Sequence, residues 1–353
     1  MLAAAFLTTW LTVFSEMPCP QILPARQTHR NSGPPSITAA VNHASLASFT
    51  QLGTGTVRVC LSLPFVNTVR LIGTECDAAC KIRAIGENMP LRRYQLFELE
   101  DLTWFPQTIR DLATDYLHFM ETHFHLHEPI VPILRATLTD AGTTSVIDLC
   151  SGGGGPVLAL YEALHSDVQG LLFTLTDRYP NTAAFAYLSA QCPTGIHYVA
   201  HPVDATEVPK DLLGMRTMFN AYHHFAPTAA RRVLENAVEA QQPVGIFEIP
   251  ERDLLRMLPF LFTPIFVAAA TPFIKPFSWQ RLLWTYLVPL VPLTCWWDGL
   301  VSACRAYTVA EMQGMTAGLE GYHWKADRVG VYDRAGHLTY LVGIPRPQRG
   351  RAL

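Results

Sequence analysis

The sequence predicts an α/β fold. Five parallel strands form a doubly wound sheet, completed by a C-terminal antiparallel hairpin and accompanied by a helical N-terminal segment and an apolar helical insertion. Three observations predict it. Between residues 145 and 248 short apolar runs alternate with helical patterns of about ten residues, which specifies a parallel sheet covered on both faces. The first run ends in the glycine cluster Gly152-Gly153-Gly154-Gly155, the sharp turn by which a strand feeds a helix. Near the C-terminus two strand-like segments, 322–331 and 337–344, flank the turn sequence Tyr332-Asp333-Arg334-Ala335-Gly336.

In chain order, residues 1–88 stand apart. Leu2 to Phe14 is apolar but no Lys or Arg precedes it, so the positive region of a secretory signal is missing. Pro18 to Ser48 has no periodicity, and Val57 to Leu63 is a lone strand candidate. We expect 1–88 to be a poorly ordered extension without catalytic function and Met89 to be the true or alternative start. Residues 89–144 read as a helical cap. Ile109, Leu112, Tyr116, Phe119 and Met120 form an apolar stripe, and a second helix starts at Ile130 after Glu128-Pro129. His123, His125 and His127 would diverge on a helix end, so no metal site is expected there.

The principal domain is expected over 145–344. Its strands are Ser145–Leu149, Leu171–Thr176, Ile196–Ala200, Met215–Phe219 and Val244–Phe247. The intervening helices are Val157–Leu164, Asn181–Ala190 and Pro227–Ala240. An insertion occupies 251–306, and 345–353 is a tail.

Composition narrows the function. With 353 residues, 49% hydrophobic and 16% charged, the chain is not disordered, and a net charge of -3 argues against a broad polyanion-binding surface. Eight scattered cysteines without a C-x-x-C pair predict reduced, buried thiols and a cytoplasmic location.

The turn Val146-Ile147-Asp148-Leu149-Cys150-Ser151-Gly152-Gly153-Gly154-Gly155-Pro156 would let a ligand approach the backbone closely. No Lys-Ser or Lys-Thr follows, which excludes a P-loop, and Val157 replaces the third glycine of a dinucleotide fingerprint. The sequence here resembles class I S-adenosylmethionine (SAM) dependent methyltransferases. Asp148, Gly152 and Gly154 match the acidic residue and last two glycines of that family's first motif, while Cys150 departs from its first glycine. Asp177 stands where the family binds ribose hydroxyls. Val203-Asp204-Ala205 resembles the adenine motif, and Phe219-Asn220-Ala221-Tyr222-His223-His224-Phe225 the His-His-Phe variety of the fourth motif.

Over 130–344 the resemblance implies a Rossmann-like, seven-stranded methyltransferase fold. It also implies SAM as cofactor, held by Asp148, Cys150, Gly152, Gly154, Asp177, Asp204, Ala205 and Asn220. Taken singly, Asp177 and Asp204 read equally well as helix caps, and Cys150 as packing.

Methyl transfer from a sulfonium mainly requires alignment, with a base only where the acceptor loses a proton. His223 and His224 are the candidate catalytic residues, as base or orienting group; alternatively one packs and the other caps the helix near Pro227. The nucleic-acid methyltransferase motif N/D-P-P-Y/F is absent, so no nucleic-acid partner is expected.

The insertion holds 18 uncharged residues from Met257 to Ile274 and 16 from Leu282 to Trp297. Prolines interrupt both, and Trp279, Trp284, Trp296 and Trp297 resemble an interfacial belt. Three readings remain open: an apolar lid, a hairpin in one leaflet with membrane contact through 257–297, or two spans. All predict a small hydrophobic or amphipathic acceptor. Tyr222, Arg305 and Tyr307 are the expected substrate-binding residues, and Asp298 with Arg305 an expected ion pair. The rival function is a non-catalytic protein of the same fold that docks a partner or membrane through the insertion.

Overall fold

The computed structural model describes residues 51–52, 56–57, 91–331 and 336–346. The chain divides into two compact units, 1–88 and 89–353. In the first, Gln51–Leu52 pairs antiparallel with Thr56–Val57. The Leu2–Phe14 run, most of the Val57–Leu63 strand candidate and the Met89 start lie outside the described residues.

The second unit is built on a seven-stranded sheet. Its strands are β1 (Ser145–Asp148), β2 (Leu172–Leu175), β3 (Ile196–Tyr198), β4 (Met215–Phe219), β5 (Val244–Glu248), β6 (Tyr322–Val331) and β7 (Gly336–Pro345). Their spatial order is β3-β2-β1-β4-β5-β7-β6. The first five pair in parallel, and β7 runs antiparallel to both β5 and β6. The hairpin keeps one register from Tyr322↔Pro345 to Val331↔Gly336. This is the five-plus-hairpin sheet that the alternation of apolar runs predicts.

Helices α1 (Gln107–His123) and α2 (Ile130–Ala141) precede the sheet. Helices α3 (Val157–Leu164), α4 (Thr182–Gln191) and α5 (Pro227–Glu239) cross between its strands. Successive side chains of a strand face opposite ways, so each strand feeds two cores. Val146 packs with Leu134, Leu160, Phe173 and Phe185 on one face. Its neighbour Ile147 packs with Met218, Val233, Leu234 and Leu341 on the other. Truncating a fully buried member such as Leu160 or Leu234 would cost about 2–5 kcal/mol.

Local chemistry sets the helix ends. Asn181 accepts the Ala184 N–H at 3.1 Å and caps α4. Pro227 occupies the first turn of α5, where its missing N–H costs nothing. Cys150, Cys192, Cys295 and Cys304 are free thiols among the described residues.

Between β5 and helix α8 (Val309–Thr316) lies the insertion, and it is not a pair of continuous helices. A 20-residue helical run, Leu254–Phe273, changes from α to 3-10 geometry and back, with α6 (Thr263–Ala270) as its regular core. The second run, Trp279–Leu287, bends by 76° into α7 (Leu290–Arg305). Prolines 259, 264, 272 and 289 stand at or beside these changes, where a missing N–H interrupts the helical ladder.

Because β1 has β2 on one side and β4 on the other, the chain reverses direction across the sheet there. A crevice opens at the C-terminal ends of β1 and β4, where open α/β sheets bind ligands.

Candidate active site

A cavity of about 450 Å³ fills that crevice, roofed by α1. The turn after β1 forms its floor. Thr176 and Ser151 both bond the Asp148 carbonyl, through Thr176 Oγ1 at 2.8 Å and Ser151 Oγ at 3.0 Å, which stitches the end of β1 to β2. Cys150, Gly152, Gly154 and Gly155 all take positive φ, at 58°, 52°, 100° and 45°. Cys150 therefore adopts a backbone region that favours glycine. The residue is half-buried, and desolvation pushes its thiol pKa well up, so it stays protonated and unreactive.

The close approach of α1 explains the glycine at 153. A Cβ there would lie 2.8 Å from the Thr114 carbonyl oxygen, in the backbone of α1. His118 latches the same helix to the turn, its Nδ1 lying 2.6 Å from the Gly155 carbonyl oxygen. Glu121, one turn on, is buried, lines the cavity and accepts a short hydrogen bond from the Asn220 side-chain amide. Burial pushes its carboxyl up to about 7, against the lowering effect of that bond.

Asp177 does not cap α4. Its Oδ2 accepts the Gly152 N–H at 2.8 Å and its Oδ1 the Tyr179 N–H at 2.7 Å, so the carboxylate sits on the rim of the turn. Asp204 accepts the Thr206 N–H at 2.8 Å and its hydroxyl at 2.6 Å, closing its own turn while lining the cavity. Asn220 is held at φ 53° with its Oδ1 accepting the Ile249 N–H. Cys150, Gly152, Asp177, Asp204, Ala205, Asn220 and His224 thus line one cavity. Asp148 and Gly154 lie behind it. Asp148 accepts the Thr217 hydroxyl at 3.0 Å, and burial raises its pKa to about 7.

Around His224 stands a partly buried ionic cluster. His224 Nδ1 lies 2.8 Å from Glu98 Oε2 and 2.9 Å from Asp101 Oδ1. Glu98 is fully buried, and its Oε1 lies 3.1 Å from an Arg305 guanidinium nitrogen. Burial opposes the charge of His224, but Glu98 and Asp101 outweigh it and hold its pKa well above the ordinary value. Burial equally opposes the Glu98 carboxylate, and His224, His223 and Arg305 still keep it below the usual range. Glu100, whose Oε1 is 3.5 Å from His224 Nε2, goes the other way: burial pushes it up to about 8.

His223 does not line the cavity. Glu248 clamps it, with Oε2 2.5 Å from His223 Nδ1 and Oε1 accepting the Tyr222 N–H at 2.7 Å. Neither histidine caps α5. Glu98, His223 and His224 bring possible ligand atoms within 4.8 Å of one another. Arg305 already supplies the cation beside Glu98.

The three residues expected on the substrate side are not brought to the cavity wall. Tyr222 is fully buried and donates its hydroxyl to the Ala230 carbonyl at 3.0 Å. Tyr307 donates to the Phe225 carbonyl at 2.7 Å beneath the Arg93 guanidinium. Arg305 is 2% exposed and bonds Asp101 at 2.7 Å and the His224 carbonyl. The expected Asp298–Arg305 pair does not form either. Asp298 accepts the Leu99 and Glu100 N–H groups at 2.7 and 3.2 Å, anchoring the segment that carries the other carboxylates.

Glu98, Glu100, Asp101, His118 and Glu121 escaped the motif reading. The only sequence signal for Glu98, Glu100 and Asp101 is carboxylate density ahead of α1, in Phe97-Glu98-Leu99-Glu100-Asp101, and His118 and Glu121 within α1 have none.

No protein-family model matches the chain, and no curated protein matches it. Among solved structures it is similar to the magnesium protoporphyrin IX methyltransferase ChlM of Synechocystis PCC 6803, at 12% identity and TM-score 0.36, covering 62% of this chain and 84% of that one. It is similar to the neocarzinostatin-biosynthesis O-methyltransferase NcsB1 at 16% and 0.38, covering 65% and 57%. A putative Zn-dependent alcohol dehydrogenase from Rhodobacter sphaeroides scores alike, at 14% and 0.38, covering 67% and 98%. Likenesses this weak carry no argument about activity; the α/β fold rests on the strand order and directions described above.

Proposed function

We propose that this chain is a SAM-dependent methyltransferase acting on a small hydrophobic or amphipathic acceptor. The observation that carries the reading is the single cavity lined in common by the glycine turn, Asp177, Asp204, Asn220 and His224. The residues present suit SAM. The turn leaves backbone free of side chains at Gly152 and Gly153, and the Asp177 carboxylate retains lone pairs for a vicinal diol. Asp204 and Ala205 would meet the adenine, with Asp148 and Gly154 shaping the turn from behind. When bound, SAM supplies a methyl group already activated for in-line displacement.

This chain's own residues then align the acceptor and handle its proton. The α1 roof and the side chains of Leu117, Phe219 and Phe225 offer apolar lining. His224, kept as an imidazolium, suits orientation of a polar or anionic end of the acceptor better than proton abstraction. Glu121 lines the same cavity, and its carboxyl, raised to about 7, suits it to accept a proton where the acceptor gives one up, whereas Glu100, raised to about 8, is mostly protonated near neutral pH. His223 acts through its neighbours, fixing the turn that presents His224. The balance of charge disfavours nucleic acid as the acceptor.

Calorimetric titration with SAM tests the cofactor assignment. Wild type is expected to bind, and Asp177→Ala to bind about 10–100-fold more weakly, as for loss of hydrogen bonds to a charged group. Equal affinity in the variant sinks the site assignment, and no binding by the wild type sinks the function. Labelled SAM incubated with the protein and a lipid-inclusive cell extract would identify the acceptor.

A further inference from the structure

The polarity of the insertion is inverted. Between Leu254 and Leu293 the exposed positions include Leu258, Leu261, Ile265, Phe273, Trp279 and Leu287, the last three at 53%, 76% and 75% exposure. Among the exposed residues of this stretch only Lys275 and Gln280 end in a charged or amide group. The exposed Tyr286 spends its hydroxyl on the Ala268 carbonyl, at 2.6 Å.

The polar side chains face inward instead. Arg281, 3% exposed, donates to Asp115 of α1 at 2.6 Å and to the Ile274 and Pro276 carbonyls at 3.0 Å. Thr263, Thr271, Thr285 and Thr294 are buried, with Thr271 and Thr285 hydroxyl to hydroxyl at 3.2 Å. A soluble surface does not sort its groups this way.

From this arrangement we propose that the outer face of residues 254–293 docks on a lipid bilayer, entering one leaflet without crossing it. The packing argues against a span. Val267, Ala270, Ile274, Val291 and Cys295 share a core with Ile109, Leu112, Ala113 and Tyr116 of α1. The other side of α1 lines the catalytic crevice with Arg110, Asp111, His118 and Glu121, groups that require water or polar partners. Both apolar runs are therefore tied along their inner sides to a helix that stays outside the hydrocarbon. Only 22% of an 18-residue window of the Leu254–Phe273 run is buried in the protein, which leaves its outer side for lipid. Short helical pieces separated by prolines fit the interfacial zone, where water still reaches loose backbone groups.

A lipid surface suits this face better than a protein. Protein interfaces need a hydrogen bond roughly every 100–200 Å², and here side chains offer almost none. Aromatic Phe277 and Trp279 beside Lys275 form an interfacial anchor of the usual composition. With a single exposed cation, binding comes from apolar insertion, so it depends little on headgroup charge or salt.

Flotation of the full chain with phosphatidylcholine vesicles, with and without anionic lipid and at low and high salt, tests the proposal. The wild type is expected to float on neutral vesicles at both salt concentrations. Charging three exposed positions in the variant Ile265→Glu/Trp279→Glu/Leu287→Glu is expected to weaken partitioning by about tenfold or more per site. Because the sites are solvent-facing, that variant should keep the wild-type melting temperature, which separates lost docking from lost folding. Failure of the wild type to float overturns the proposal, as does flotation confined to anionic vesicles and released by salt. Undiminished flotation of a folded triple variant overturns it too. A lipid-free dimer that the triple variant dissolves, without flotation, would assign the face to a second copy instead.

Discussion

His224 Nδ1 lies 2.8 Å from Oε2 of the fully buried Glu98, a carboxylate delivered from the segment ahead of α1. The contact joins the N-terminal cap to the turn after β4, and Arg305 on the far side of Glu98 completes a buried triad. Glu98→Gln keeps the shape but removes the charge that holds His224 protonated. The His224 titration, followed by NMR of its ring protons, should move down toward the ordinary histidine range. Stability should fall by about 3–5 kcal/mol, the usual cost of leaving a buried charge without its partner. An unchanged His224 titration in a folded variant would show that Asp101 alone sets it.

Stability should decline as pH rises from mildly acidic to alkaline. Glu100, raised from 4.5 to about 8, and Glu121 and Asp148, raised to about 7, hold protons in the folded chain that the unfolded chain has already released. Across that window unfolding releases protons, so each step up in pH favours the unfolded state. His224 acts in the same direction: its contribution is complete below the ordinary value of 6.5 and disappears as pH climbs through its raised folded value. The depressed Glu98 and Asp101 work at the other end, losing their contribution only as pH falls through their low folded values. Thermal melts at about pH 5.5 and 8.5 should give the lower Tm at 8.5, with Glu121→Gln flattening the slope. A Tm that rises over this interval contradicts the assignment.

Gly153→Ala tests the contact between the glycine turn and its roof. The new methyl group would meet the Thr114 carbonyl oxygen at 2.8 Å, and backbone cannot rotate away as a side chain can. Displacement of α1 should cost about 1–3 kcal/mol and weaken ligand binding in the crevice. Gly314→Ala is the control of opposite sign. That glycine lies in α8 with nothing within 4 Å of a Cβ, so alanine there should add about 0.5–1 kcal/mol. Differential scanning calorimetry of both variants reads the contrast, and equal shifts would remove the argument for close approach.

Local signals were legible, and long-range ones were not. Each parallel strand announced itself as an apolar run bounded by turn residues, and the terminal hairpin kept the segments that its turn sequence delimits. Cys150, Gly152, Asp177, Asp204 and Asn220 follow strand ends, so strand order alone gathers them around one cavity. Glu98, Glu121 and Glu248 meet their partners only through tertiary packing, and no spacing in the sequence marks them. Tyr222 and Tyr307 show the converse. Both lie beside suggestive motifs, yet each hydroxyl satisfies a buried backbone carbonyl. In the insertion the prolines announced the breaks, but which side of each helix faces inward depends on α1.

Arg305→Ala separates a substrate-binding arginine from a scaffolding one. Placed directly after the apolar insertion, Arg305 is expected from the sequence to bind the acceptor, which would make its loss a KM effect. Its guanidinium instead bonds Asp101 at 2.7 Å, lies 3.1 Å from Glu98 and reaches the His224 carbonyl, all with 2% exposure. Removing it strands two carboxylates and frees the turn that carries His224, so the main effect should be a loss of about 3–5 kcal/mol in stability. Arg305→Lys should recover only part of that, because a single ammonium cannot match the planar fork that serves three acceptors at once. Chemical denaturation of the three proteins gives the ranking, with wild type above Lys and Lys above Ala. A stable Arg305→Ala protein with only a raised KM would return the residue to the substrate.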